Sequence, residues 1–363
     1  MKLYERHISR EVIQAILLVL LAFIVLFAFF DSIESLKSVG RGKFGVGHAF
    51  AYVGLRLPGL VYELLPIAVL IGALYALSTL ARHSEITVLR ASGMSSSKLL
   101  FLLFKVAGVF ALIALLLGET LVPPSERMAL EMRSRAIYNI VVKGFVSGLW
   151  IKDGYAFVNI GTVESNTELA NIRIYQFDAV NQLKHVMEAK HGRHLETGKW
   201  QLSDISRTVL EMGEAGEQPH ARVEKEAEIE WHSALTPDII ALVMMPPDRM
   251  SLISLATYLR HLSGNRQKTE NYEIALWKKF FYPAASLVMI ALAMPFGYAH
   301  GRMSGVSLQI FGGVMVGVLF HMLNGLFSSL GVLRGWPPLL AAALPSIIFL
   351  SVALGMLWRM ERR

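Results

Sequence analysis

The chain has 363 residues, a formal net charge of +7 and a hydrophobic fraction of 54%. A composition this apolar, with a mean hydropathy of +0.47, lies above the usual range of soluble proteins and favours a membrane protein. The lack of cysteine excludes disulfides, thiolate metal sites and thiol catalysis, and the basic excess lies beside the apolar segments, which argues against nucleic-acid binding.

Six apolar runs punctuate the chain, three before and three after a polar middle section. At a rise of about 1.5 Å per residue, each run is long enough to cross a hydrocarbon core about 30 Å thick. They predict transmembrane helices at 12–30, 57–81, 99–122, 280–299, 306–333 and 339–358. The predicted fold class is an α-helical membrane protein of three units: 1–122 with three helices, 123–275 as an inserted domain, and 276–363 with three helices.

Lysine and arginine residues concentrate at 2–10, 82–98 and 359–363, segments that share one side of this topology. The positive-inside rule places that side in the cytoplasm. We therefore expect a multi-pass protein with both termini in the cytoplasm and the inserted domain outside, in the periplasm of a Gram-negative cell.

The inserted domain alternates apolar and polar residues with period two, as in Tyr155–Ile160 and Ile172–Phe177. Turn sequences separate such segments, and the pattern predicts an all-β domain in the form of a sandwich, a jelly roll or an open barrel. Helices are expected on either side of it, at Glu126–Ile137 and Leu252–Leu262.

Known catalytic motifs are missing from the sequence. It contains no phosphate-binding loop, no H-E-x-x-H and no G-x-S-x-G, and its histidines are scattered. We therefore expect a protein that is not an enzyme and that holds no metal and no cofactor.

The segment at about 82–96, between the second and third apolar runs, is the most specific local signal. Ser84 is a candidate N-cap, Glu85 lies in the first turn, where the helix dipole favours an anion, and Gly93 suits the C-terminal stop. Two interpretations remain: a short helix lying on the membrane surface, or a coupling helix that binds a cytoplasmic partner through Glu85.

Three features together resemble the LptF/LptG family of lipopolysaccharide-export permeases, and most closely its LptG branch. They are the helical layout, the sequence EITVLRASG at 85–93 and the sequence GLWIKDG at 148–154. Over essentially the full length, the resemblance implies the permease subunit of an ABC transporter in the bacterial inner membrane, with a periplasmic β-jellyroll. It also implies the partners LptF, an LptB homodimer that hydrolyses ATP, LptC, and the periplasmic bridge protein LptA.

The resemblance implies roles for particular residues. In the 85–93 segment, Glu85, Arg90 and Gly93 correspond to the site that couples to the ATPase. Helices one and five correspond to lateral gates for lipopolysaccharide, with the candidates Asp31, Glu34, Gly313 and Gly317. The family tends to carry a basic residue near position 31, so an acid there departs from its pattern.

Charged residues recur at three- and four-residue spacing at the outer end of the first helix and so share a face. Because lysine and arginine bind phosphates by charge-assisted hydrogen bonds, Lys37, Arg41 and Lys43 are candidate contacts of the lipid headgroup. The alternative is that Lys37 pairs with Glu34 and the other two lie at the interface.

Other polar and small residues have simpler explanations. Arg56, Glu63 and Glu119 are expected to form internal pairs. The glycines 313 and 317 suit a close helix approach, either at a gate or inside the same subunit.

Phe157, Ile174 and Phe177 are predicted to face inward in the β-domain, where they line a path for acyl chains or form an ordinary core. Two other functions remain open on the sequence: an ABC permease for lipoproteins, and a membrane scaffold or receptor that signals through 82–98.

Overall fold

The computed structural model describes residues 3–138, 148–165, 167–196, 198–211, 220–298 and 306–362. Within these residues six helical stretches are long and apolar enough to cross a membrane, which confirms the six predicted spans. Before the β-domain lie α1 (Leu3–Leu36), α2 (Val46–Arg82), α3 (Glu85–Ala91), α4 (Ser96–Leu116) and α5 (Val122–Tyr138). After it lie α6 (Pro237–Val243), α7 (Leu252–Gly264), α8 (Glu270–Tyr298), α9 (Val306–Arg334) and α10 (Pro338–Glu361).

The third membrane helix runs beyond its predicted end at residue 122. A π-helical turn, Leu117–Leu121, joins α4 to α5, so the helix continues to Tyr138. The helix predicted at 126–137 is therefore present, as a continuation of the third span and not as a separate element.

The inserted domain is a single antiparallel sheet whose described strands follow one another in chain order. The strands are β1 (Leu149–Asp153), β2 (Ala156–Ser165), β3 (Glu168–Phe177), β4 (Leu183–Glu196), β5 (Lys199–Glu211) and β6 (His220–His232). The predicted all-β insertion is confirmed. One face packs in a common apolar cluster with α6 and α7, in which Val158 and Trp200 of the sheet join Ile240 and Tyr258 of the helices. The helix predicted at 252–262 is α7.

The regular pattern of the sheet changes along a bend that crosses it: Gly161 in β2 lies opposite Asn171 in β3, and the line continues through β4 to Asp204 in β5. Asn171 and Asp204 have φ values of 54° and 53°, in the left-handed region. A Cβ on Gly161 would lie 2.9 Å from the Cβ of Asn171, so the bend leaves no room for a side chain there.

Burial in β3 shows the effect of this bend on the side-chain pattern. Leu169 and Ile172, three residues apart, are both buried on the covered face. A regular strand would point residues at this spacing to opposite faces, so the period-two pattern shifts by one residue across the bend.

Helices α1 and α2 approach each other closely at Gly72. A Cβ at this position would lie 2.5 Å from Cα and 2.6 Å from the backbone nitrogen of Ile16 in α1. Since backbone atoms of a packed helix cannot rotate away as a side chain can, Gly72 is required for this contact.

Gly72→Ala is expected to destabilise the protein by about 1–3 kcal/mol, because the added methyl group forces α1 away from α2. Thermal unfolding of the purified protein in detergent measures the change. Gly54→Ala on the same helix is the matched control: nothing lies within 4 Å of its Cβ position, and alanine favours a helix over glycine. Equal melting temperatures for the two variants would contradict the contact.

Candidate functional site

The segment between α2 and α4 forms the short helix α3, which ends in a Schellman motif at Gly93. The backbone N–H of Met94 donates to the carbonyl of Leu89, and that of Gly93 donates to the carbonyl of Arg90, both at 3.0 Å. Gly93 has φ = 90°, which glycine adopts without strain, so the predicted stop is confirmed.

The predicted cap by Ser84 is wrong in its chemistry. Ser84 is at the N-cap position, but its φ is 62° and its side chain makes no capping hydrogen bond. A capping serine needs extended backbone to aim its hydroxyl at the first turn, and the tight turn after α2 imposes the left-handed conformation instead.

Helix α3 is anchored on one face and open on the other. Ile86 is 5% exposed and belongs to the apolar cluster of the membrane helices, whereas Val88 is 65% exposed. Glu85 contacts His7 of α1, with 3.1 Å between Oε2 and Nε2, and Arg90 is exposed. Helix α3 thus contacts α1 through Glu85 and the membrane core through Ile86, while Val88 and Arg90 are exposed.

A second group of charged residues lies at the opposite end of the helices, with Glu126 buried and the other members partly buried. Two arginines meet one carboxylate there: Arg56 Nε lies 3.6 Å and Arg249 Nη1 3.2 Å from Oε1 of Glu126. Arg249 Nη2 also lies 2.6 Å from Oε1 of Glu63, and Arg56 Nη1 lies 3.4 Å from Oδ2 of Asp31. We call Asp31, Arg56, Glu63, Glu126 and Arg249 the outer ion cluster.

The lysine of a further pair lies deeper among the helices. Lys279, buried in α8, lies 3.6 Å from Glu119 and donates to the carbonyl of Gly118 at 2.8 Å. The second oxygen of Glu119 accepts the backbone N–H of Leu252 at 2.8 Å. Arg56, Glu63 and Glu119 thus form the internal pairs expected from the sequence.

Sequence reasoning missed Glu126, Arg249 and Lys279 as members of these pairs. A charged residue next to an apolar run could have signalled such a pair, because ionisable groups close to a membrane span usually face a partner or a cavity. Their common location depends on the packing of α2, α5, α8 and the segment after α6.

The charged residues at 31, 34, 37 and 41 recur at helical spacing, but in the structure they have different surroundings. Asp31 faces Arg56, whereas Glu34 pairs with Lys37 at 3.1 Å on the exposed surface. The structure therefore shows the alternative, in which Lys37 pairs with Glu34. Arg41 and Lys43 are exposed in the turn after α1.

Gly313 and Gly317 of α9 face α2 of the same subunit. A Cβ on Gly313 would lie 2.5 Å from Leu74, and one on Gly317 would lie 2.7 Å from Ile67. Of the two explanations given for these glycines, the structure shows the packing contact within the chain. The opposite face of α9 exposes large apolar side chains, among them Phe311, Met315, Val318 and Met322.

The three candidate acyl-chain residues do not share one face of the sheet. Ile174 is 2% exposed in the apolar cluster with α6 and α7, and it pairs with Val158. Phe157 is exposed on the other face, where its ring contacts Phe177 edge-to-face at 5.6 Å. The expectation that all three face inward is wrong, because adjacent residues of a strand point to opposite faces.

Comparison with known proteins agrees with this architecture. The model of the family described as lipopolysaccharide export system permease LptF/LptG matches residues 6–359. The chain is 29% identical to the lipopolysaccharide export system permease protein LptG of Haemophilus influenzae, over 99% of this chain and 98% of the relative.

A second similar relative is LptG of Escherichia coli strain K12, with 30% identity over 98% of each chain. The resemblance seen in the sequence at 85–93 and 148–154 is thereby confirmed over nearly the full length. The six membrane helices and the inserted β-domain fit a transport subunit in a bacterial membrane. The chain belongs to the LptF/LptG family of lipopolysaccharide export system permeases.

Proposed function

We propose that this chain is the non-catalytic membrane subunit of an ABC transporter that extracts lipopolysaccharide from the inner membrane. The family match over residues 6–359 carries the proposal, since it spans the membrane helices, α3 and the β-domain together. In this proposal an LptB homodimer hydrolyses ATP, LptF is the second permease subunit, LptC joins them, and LptA receives the lipid.

The open face of α3 supports its assignment to ATPase coupling. Glu85 presents a carboxylate at the first turn, Ile86 fixes the helix to the membrane core, and Gly93 reverses the chain toward α4. Basic residues at 82–98 place this segment and both termini in the cytoplasm by the positive-inside rule, and hence the β-domain in the periplasm.

The exposed apolar faces of α1 and α9 support their assignment to lateral gates. The outer half of α1 exposes Leu21, Val25 and Phe29, and an unpartnered apolar stripe on a membrane helix faces lipid or another subunit. Asp31 and Glu34 lie at the outer end of α1, and Gly313 and Gly317 let α9 pack closely on α2. Lipopolysaccharide would enter between these helices and those of LptF.

Exposed basic side chains at the outer end of α1 support contacts with the lipid headgroup. Arg41 and Lys43 extend from the turn after α1, and Lys37 precedes them with Glu34 as a surface partner. An exposed ion pair has a small net stability, so a phosphate can replace Glu34 at little cost.

Photo-crosslinking in cells tests the substrate and the route together. A photoreactive residue is placed at Ile174 for the covered face and at Phe157 or Phe177 for the exposed face, with Val180 in the β3–β4 turn as control. We expect a lipopolysaccharide adduct at one face that depends on ATP hydrolysis, and none at Val180. Adducts with protein alone at every position would contradict the proposed function.

A further inference from the structure

The outer ion cluster joins three parts of the chain that are far apart in sequence. Asp31 lies near the end of α1, Arg56 and Glu63 lie on α2, Glu126 lies on α5 before the sheet, and Arg249 lies in the turn Pro247–Arg249 after it. The chain segments that enter and leave the β-domain are thus both bound to α2, through Glu126 and Arg249.

Arg56 is the member that also binds α1. Its guanidinium has two carboxylate partners, Asp31 at 3.4 Å and Glu126 at 3.6 Å, from different helices. The Asp31 side chain is 33% exposed, whereas that of Glu126 is 7% exposed. When the pair of Asp31 and Arg56 breaks, the Asp31 carboxylate contacts solvent and Glu126 still neutralises Arg56. Breaking this pair therefore leaves no unpaired buried charge.

The packing of α1 makes this pair important for the position of the helix. In the inner half, Ile8, Val12 and Ile16 are fully buried, whereas Leu21, Val25 and Phe29 in the outer half are about 60% exposed. On the face of α1 toward α2, Leu20, Phe23 and Ile24 still pack against α2. Asp31 lies beyond these apolar contacts, where it and the Ser35 hydroxyl, which donates to the carbonyl of Ala49, bind the end of the helix to α2.

We propose that Arg56 is a positioning residue for lipid release. It holds the outer part of α1 on α2 through Asp31. When α1 moves, Arg56 loses Asp31 and keeps Glu126 as its carboxylate partner. The inference rests on the proposed function, in which α1 borders the lipid path. Beyond that function, the inference assigns control of the position of α1 to the pair of Asp31 and Arg56. Through Glu126, Arg56 also links this position to α5, which precedes the β-domain.

The first test measures the position of α1 without measuring transport. Because the chain has no cysteine, spin labels on cysteines introduced at the exposed positions Phe30 and Phe50 are the only labels in this subunit. We expect Asp31→Asn to broaden the distance distribution between α1 and α2 in the assembled complex. The control Glu34→Gln, which removes the surface pair with Lys37, should leave the distribution unchanged.

The second test uses ATP-driven release of lipopolysaccharide from proteoliposomes. For Asp31→Asn we expect about fivefold less lipopolysaccharide released per ATP hydrolysed. This is the effect expected from the loss of one coupled contact. The rate of ATP hydrolysis should be retained. Linking Asp31→Cys to Arg56→Cys with a bifunctional thiosulfonate should stop release until a reductant is added. The same reagent on Glu34→Cys and Lys37→Cys, which links the end of α1 only to the turn that follows it, should have no effect.

The outcomes separate the two proposals. A wild-type complex that releases no lipopolysaccharide overturns the proposed function, while a broadened distribution in Asp31→Asn still supports the role of Arg56 in holding α1. Normal release by the cross-linked complex, or an unchanged distribution in Asp31→Asn, overturns the role of Arg56.

Discussion

Glu85→Arg is expected to reduce ATP-driven lipopolysaccharide release by more than about tenfold while the subunit still folds. The side chain lies at the open start of α3, so the substitution costs little stability, but it reverses the charge offered to the ATPase. Loss of one partner of a close interfacial charge pair typically costs about 2–5 kcal/mol of binding. The measurement is release from proteoliposomes, together with the amount of ATPase that co-purifies with the complex.

Two controls separate this role from the contact that Glu85 makes inside the chain. His7→Gln removes the 3.1 Å partner of Glu85 and should change release by less than about twofold, since an exposed pair contributes about 1 kcal/mol or less. Thr87→Arg adds a positive charge at a neighbouring exposed position of α3. Equal losses in all three variants would show that Glu85 has no specific partner, and unchanged release in Glu85→Arg would contradict its coupling role.

Arg249→Met is expected to lower the stability of the subunit by about 3 kcal/mol, the lower end of the cost of breaking a buried pair, because it leaves Glu63 without a cation and Glu126 with Arg56 alone. The Arg249 side chain is 16% exposed and lies 2.6 Å from Glu63 and 3.2 Å from Glu126. The fold reserves this space: a Cβ on Gly59 would collide with its Nη1 atom. Thermal unfolding in detergent and the yield of folded protein measure the loss.

Arg193→Met is the matched control for this loss. Arg193 pairs with Glu168 on the exposed face of the sheet, at 3.2 Å, and its removal should cost less than about 1 kcal/mol. Adding Glu63→Gln to Arg249→Met should recover part of the stability, since it removes the carboxylate that the loss of Arg249 leaves unpaired. A melting temperature of Arg249→Met equal to that of the control would show that the cluster contributes no stability.

The local features of this protein follow from residues close together in the chain. Apolar runs long enough to cross a membrane predicted all six spans, and Gly93 predicted the end of α3, because hydropathy and left-handed turns are properties of short segments. The 85–93 and 148–154 motifs indicated the family before any contact was known. Hydropathy predicted the end of the third helix at residue 122, whereas the helix continues to Tyr138. The part beyond the apolar run is polar, so hydropathy could not show that it is helical.

Other features depend on contacts between distant segments, and only the tertiary structure determines them. Ile174 pairs with Val158, the neighbour of Phe157, so Phe157 and Ile174 point to opposite faces, and this register depends on strands that the sequence does not align. Charges at 56, 126 and 249 meet because three separated segments pack together. By itself, then, the sequence determined the spans, the inserted β-domain, the end of α3 at Gly93 and the family. Tertiary packing decided which charges pair, which glycines are indispensable and which face of the sheet is covered, because these depend on the distance between residues that the sequence leaves apart.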